Sequence, residues 1–95
     1  MYRTSFIDPD YRRDPKTDRY CYRCQRDLKP GQPFRYIAYE LDRPEAIHAD
    51  DWEAAKIEIV ARRAPHLDAF VIGPVGMDCA RKIGLEFTRE TETEG

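Results

Sequence analysis

Cys21-Tyr22-Arg23-Cys24 and Gly76-Met77-Asp78-Cys79-Ala80-Arg81-Lys82-Ile83-Gly84 between them contain all three cysteines of the 95-residue chain. Two thiolates separated by two residues can grip one tetrahedral ion, and a third cysteine far along the chain can close that grip across the fold. The two stretches together read as one Zn²⁺ site whose ligands come from opposite ends of a small domain.

Working outward, the length allows one domain with a modest core, so a metal staple suits it. Hydrophobic residues are 41% of the chain and charged residues 36%, a globular composition whose apolar residues concentrate between Tyr20 and Phe87. The opening residues hold no apolar run of signal-peptide type, and no later segment approaches a membrane span, which leads us to expect a cytoplasmic protein. In a reducing compartment, an odd set of three cysteines argues for metal binding or a reactive thiol rather than a disulfide framework. Net charge is −2, with eight basic against five acidic groups in residues 1–30 and eight against thirteen in the rest. That balance does not describe a binder driven to nucleic acid by bulk positive charge.

Taken in order, residues 1–18 are polar, dense in turn formers and without periodicity, the pattern of a mobile N-terminal arm. The zinc-binding domain is expected over 19–87. A short strand at 19–21 should lead into the knuckle, and Pro30-Gly31 within Lys29-Pro30-Gly31-Gln32 supplies the φ values of a type II turn. Residues 34–41 then read as the return strand of a hairpin, and 45–48 as a third short strand. Asp50 and Glu53 suggest a capping box opening a helix, with Trp52, Ala55, Ile59 and Val60 on its apolar side and Pro65 ending it. Residues 69–72 read as a buried strand bounded by Gly73-Pro74. Asp78 is placed to cap a short helix over 79–83, with Gly84 closing it and Cys79 in its first turn, where the helix dipole favours a thiolate. Residues 88–95, rich in glutamate and threonine, read as a disordered acidic tail. The sum is an α+β domain with a hairpin or short antiparallel sheet and two helices.

A closed structural zinc site wants four ligands, so the three cysteines leave one place. His48, His66, Asp50, Asp51 and Asp78 are the candidates. Imidazole joins thiolate-rich sites more often than carboxylate does, and His48 stands between a strand and a helix that fix it, whereas His66 falls in a turn after Pro65. The expected set is therefore Cys21, Cys24, His48 and Cys79, spaced Cys-x2-Cys-x23-His-x30-Cys.

The order of knuckle, hairpin and late helical ligand resembles the treble-clef group of zinc folds, over 19–87 as topology and at Cys21, Cys24 and Cys79 as motif. Two departures from that group are Gln25, where a glycine usually follows the knuckle, and a closing helix with one cysteine rather than a pair. The segment 76–82 also resembles one in small bacterial and phage zinc-binding proteins of unknown function, which implies no activity. A thioredoxin-like redox role needs a long helix after its Cys-x2-Cys, yet 27–32 reads as a turn. A zinc deaminase needs His-x-Glu upstream of its cysteine pair, and His48-Ala49-Asp50 lies downstream and lacks the glutamate. A nuclease would need a histidine base beyond the ligands, and only His48 and His66 exist. No catalytic residue is therefore assigned.

Two binding readings stand. Arg19-Tyr20-Cys21-Tyr22-Arg23-Cys24-Gln25-Arg26 alternates cations and aromatics, as a nucleic-acid surface does. Trp52 with Phe34, Tyr36 and Tyr39 offers aromatic surface to a protein partner, unless those residues form the core. The expectation is a small binding or adaptor protein with structural zinc and a protein partner, nucleic acid being the alternative.

Overall fold

A computed structural model describes residues 3–6, 19–64 and 69–91. Its elements run β1 (Arg3–Ser5), β2 (Phe34–Glu40), β3 (Glu45–Ile47), α1 (Trp52–Arg63), β4 (Phe70–Gly76) and α2 (Met77–Ile83), with 3₁₀ turns at Ala49–Asp51 and Leu85–Phe87. The class is α+β, with β1 antiparallel to β3 and β2 antiparallel to β4 in two separate pairs.

The central pair is not the hairpin expected at 19–41. Residues 19–28 close on themselves instead, through Leu28 N–H to the Arg19 carbonyl (3.0 Å) and Cys21 N–H to the Arg26 carbonyl (2.9 Å). The turn at 29–32 does form, with Gln32 N–H bonded to the Lys29 carbonyl and Gly31 at φ 79°, the positive angle that a type II turn demands. Beyond it β2 runs against β4 over seven residues, from Phe34 opposite Gly76 to Glu40 opposite Phe70. This longer ladder satisfies more backbone and uses both apolar faces of β2: Ile37 enters one core cluster and Ala38 the other.

β4 also passes through Gly73-Pro74, where a stop was expected. Tyr22 explains how: its N–H donates to the Pro74 carbonyl at 2.8 Å, and its ring occupies the space a Cβ on Gly73 would need. The missing side chain is thus the seat of the knuckle on the sheet.

One cluster gathers Phe6, Cys21, Leu28, Ile37, Val75, Cys79 and Ile83, and the other is built by α1 through Trp52, Ala55 and Ile59 against Ala38, Ile47 and Ala69. Trp52 is fully buried and its indole N–H donates to the Ile47 carbonyl at 3.0 Å, so it is core rather than docking surface.

Local capping differs from expectation at both helices. The Asp50–Glu53 box does not form: the Asp50 N–H is bonded to His48 Nδ1, while Glu53 pairs with Arg89. Gly76, not Asp78, is the N-cap of α2, and Asp78 lies inside the helix facing Arg81 at 3.7 Å. Gly84 ends α2 at φ 116° with its N–H on the Ala80 carbonyl, as a glycine can.

Both terminal expectations are corrected where residues are described. Arg3–Ser5 pairs with β3 and Phe6 is buried, so the arm expected over 1–18 is part of the fold at 3–6, and 1–2 and 7–18 lie outside the described residues. Thr88 is buried and Arg89 exchanges both backbone hydrogen bonds with Tyr36, so the expected tail over 88–95 begins as an added edge to β2, and 92–95 lie outside the described residues. No helix among the described residues is long and apolar enough to cross a membrane.

Candidate metal centre

The knuckle is built by two backbone bonds, Cys21 N–H to the Arg26 carbonyl and Gln25 N–H to the Cys21 carbonyl (2.7 Å), and Gln25 takes φ 59° to complete the turn. The chain thus adopts at Gln25 the left-handed angle that glycine would adopt without steric cost. β4 delivers the third cysteine directly, because α2 starts at Met77 and Cys79 falls in its first turn, facing back to the knuckle.

The Sγ atoms of Cys21, Cys24 and Cys79 all lie within 4.8 Å of one another, the one group of potential metal ligands among the described residues. No disulfide joins them. Tetrahedral zinc with bonds of about 2.3 Å needs sulfurs about 3.8 Å apart, so a small contraction would seat an ion.

The two buried cysteines differ in their electrostatics. Burial opposes ionisation of Cys21, yet the N–H groups of Cys24, Gly76 and Arg23, with the Cys24 thiol, outweigh it and hold the Cys21 thiol below its usual value. At Cys79 burial dominates; the Arg23 guanidinium, 3.6 Å from its sulfur, pulls the other way, but the neighbouring Cys21 and Cys24 thiols raise it further, to about 12. The helix-dipole expectation for Cys79 is therefore overruled by burial and by like charge. A divalent cation between the sulfurs would remove that repulsion, which is the chemistry of a thiolate metal site.

The structure does not bring His48 to this group. Its Nδ1 accepts the Asp50 N–H at 3.2 Å, its ring meets Phe87 edge-on at 5.5 Å, and it does not line the space around the sulfurs. The strand and helix that flank it do fix its position, but they fix it as the cap of the Ala49–Asp51 turn. His66 lies outside the described residues. Asp50 and Asp51 belong to that same turn, and of the acidic candidates only Asp78 borders the cysteines, with its side chain 93% exposed.

The sulfurs line a cavity of about 620 Å³ whose wall also carries Arg23, Arg26, Arg81, Lys82, Gln32 and Asp78. Arg81 and Lys82 were not singled out from the sequence, although their places two and three residues after Cys79 are the signal. The basic-aromatic stretch is largely spent on packing: Arg19 covers the Phe34 ring at 4.5 Å, and Tyr20 stacks on Tyr22 at 5.1 Å. Comparison of the chain with protein-family models, with curated proteins and with solved structures finds no match.

Proposed function

We propose that this chain is a small cytoplasmic zinc-binding module, treble-clef-like in arrangement, in which one Zn²⁺ on Cys21, Cys24 and Cys79 locks the knuckle to α2 and the domain serves a binding or adaptor role rather than a catalytic one. The observation that carries this reading is the convergence of three sulfurs from segments far apart in the chain. The treble-clef likeness is supported by order: knuckle, then the antiparallel β2–β4 pair with β3 and α1 in its connection, then α2 carrying the last cysteine in its first turn. Zinc is the metal because thiolate sets select it among abundant divalent ions, and its role is to hold segments together.

The partner on this reading is a protein with an acidic surface, met by Arg26, Arg81 and Lys82 at the cavity rim. Nucleic acid is the second reading, favoured by those same cations. It is opposed by the net charge of −2 and by the packing of Tyr20 against Tyr22, which leaves less aromatic face for bases.

Metal analysis of the purified protein should find one zinc per chain, and chelation should abolish cooperative unfolding, since binding free energy here becomes folding free energy. His48→Ala should keep the zinc, and Cys24→Ser should lose it. Less than about a tenth of an equivalent of zinc, with an unchanged spectrum after chelation, would overturn the metal reading. Capture from lysate with and without nuclease separates the two partner classes.

A further inference from the structure

From the same site we infer that the cavity beside the three cysteines is an oxyanion-binding site, in which a carboxylate or phosphate seats on Arg26, Arg81 and Lys82 and supplies the donor that the three sulfurs leave missing. This rests on the metal reading above and extends it to a ligand.

Zinc takes four ligands, and three protein ligands with one open position is the pattern that admits an outside donor. Among the described residues no fourth side chain joins the sulfurs, and His48 is committed to its own turn. The end of β4 nearest His66 in the chain, Phe70, lies six residues from Gly76, about 20 Å along an extended strand. The sulfurs are at the Gly76 end, where that residue's N–H reaches Cys21.

The cavity is far larger than an ion needs, and its wall is chemically one-sided. Three thiolates and a Zn²⁺ carry a formal charge of −1, which the Arg23 guanidinium beside Cys79 offsets. Among the described lining residues Arg26, Arg81 and Lys82 then stand against one acid, Asp78, which meets Arg81 only at 3.7 Å with both side chains mostly exposed. Guanidinium groups match the planar, paired oxygens of carboxylate and phosphate, and they favour an anion over a neutral donor at the open position. Such an oxyanion comes either from a free small molecule or from an acidic side chain of a partner, and both would make the same contacts.

The test uses the full chain loaded with Co²⁺, whose visible bands report the donor set, in chloride-free buffer with a phosphine reductant. Inorganic phosphate, acetate and a polyglutamate peptide are titrated separately. A saturable shift of the cobalt bands is expected, weakened about tenfold or more in Arg26→Ala/Arg81→Ala/Lys82→Ala while the thiolate charge-transfer band persists. Saturation by phosphate or acetate points to a small molecule, and saturation by polyglutamate alone points to a partner's acidic group. A chain that takes up cobalt yet ignores all three probes, or responds equally in the triple variant, overturns this inference alone. A chain that takes up no cobalt overturns the metal reading and this one with it.

Discussion

Gln25 shows how one residue's backbone angle can be dictated by chemistry four residues away. The knuckle must turn sharply enough to aim the N–H groups of Arg23 and Cys24 at the Cys21 sulfur, and the residue after the second cysteine absorbs that turn at φ 59°. A side chain in the left-handed region costs roughly 1–2 kcal/mol, part of which glycine gives back through its larger unfolded-state entropy. Gln25→Gly should therefore raise stability by about 1 kcal/mol, read as a higher melting temperature of the zinc-loaded chain. A fall instead would show that the Gln25 side chain contributes more than its backbone costs. Asp42 holds a similar φ of 71°, but aspartate tolerates that region better, so the same exchange there has less to recover.

At the scale of elements, the segment after α2 does more than its composition suggests. Thr88 is fastened by its hydroxyl to the Leu85 carbonyl (2.8 Å) and by Arg35, and Arg89 extends β2 by one bridge. The Arg89 guanidinium then lies over the Trp52 ring at 4.4 Å, bonds the Ala49 carbonyl, and pairs with Glu53 at 2.9 Å. One side chain thus ties the C-terminal edge to the start of α1, and its bond to the Glu53 carboxyl holds that group below its usual pKa. Arg89→Ala should cost about 2 kcal/mol through lost cation–π contact, charge-assisted bonds and packing. Trp52 is the chain's single tryptophan, so its fluorescence should also change in the folded variant. Unaltered stability and emission would mean that the edge bridge holds without the guanidinium.

Across the whole molecule, the β2–β4 ladder is clamped at both ends by different chemistry. The cysteines sit at the Phe34–Gly76 end; at the other end Glu40, fully buried, receives Arg62 at 2.6 and 2.8 Å and Arg63 at 2.7 Å, with Arg3 and Arg43 at 3.6 and 3.9 Å. One carboxylate therefore joins β1, β2 and α1. The Arg62 bond is the largest influence on it, and despite burial the arginines together lower its pKa from 4.5 to about 2. A depressed carboxyl stabilises the fold fully above its unfolded value, and that contribution is lost as pH falls from about 4.5 towards about 2. Glu40→Gln should cost about 3 kcal/mol at neutral pH, because it leaves the guanidinium groups facing each other without their anion. The gap between parent and variant in denaturant unfolding should narrow over that acid window. A gap that is constant with pH would show that packing, not charge, is what the substitution removes.

What the sequence determined by itself was chemistry that depends on residue type and near-neighbour spacing: a Cys-x2-Cys knuckle, a turn at Pro30-Gly31, an amphipathic α1 with Trp52, Ala55 and Ile59 inward, a helix carrying Cys79, and an α+β class. Those features are local, and local sterics and periodicity write them directly into the chain. Strand partners were not legible, because the choice between 19–21 and 70–76 as partner for β2 turns on how many backbone bonds and apolar faces each satisfies, a sum over the whole domain. Nor was the role of Glu40, whose four arginines come from positions 3, 43, 62 and 63, or that of His48, held in its own turn and away from the sulfurs. For the ladder and for Glu40 the deciding contacts join residues that chain spacing does not relate, so only packing in three dimensions could select them; His48 is held by a local bond to Asp50, and only the fold shows that this turn lies away from the sulfurs.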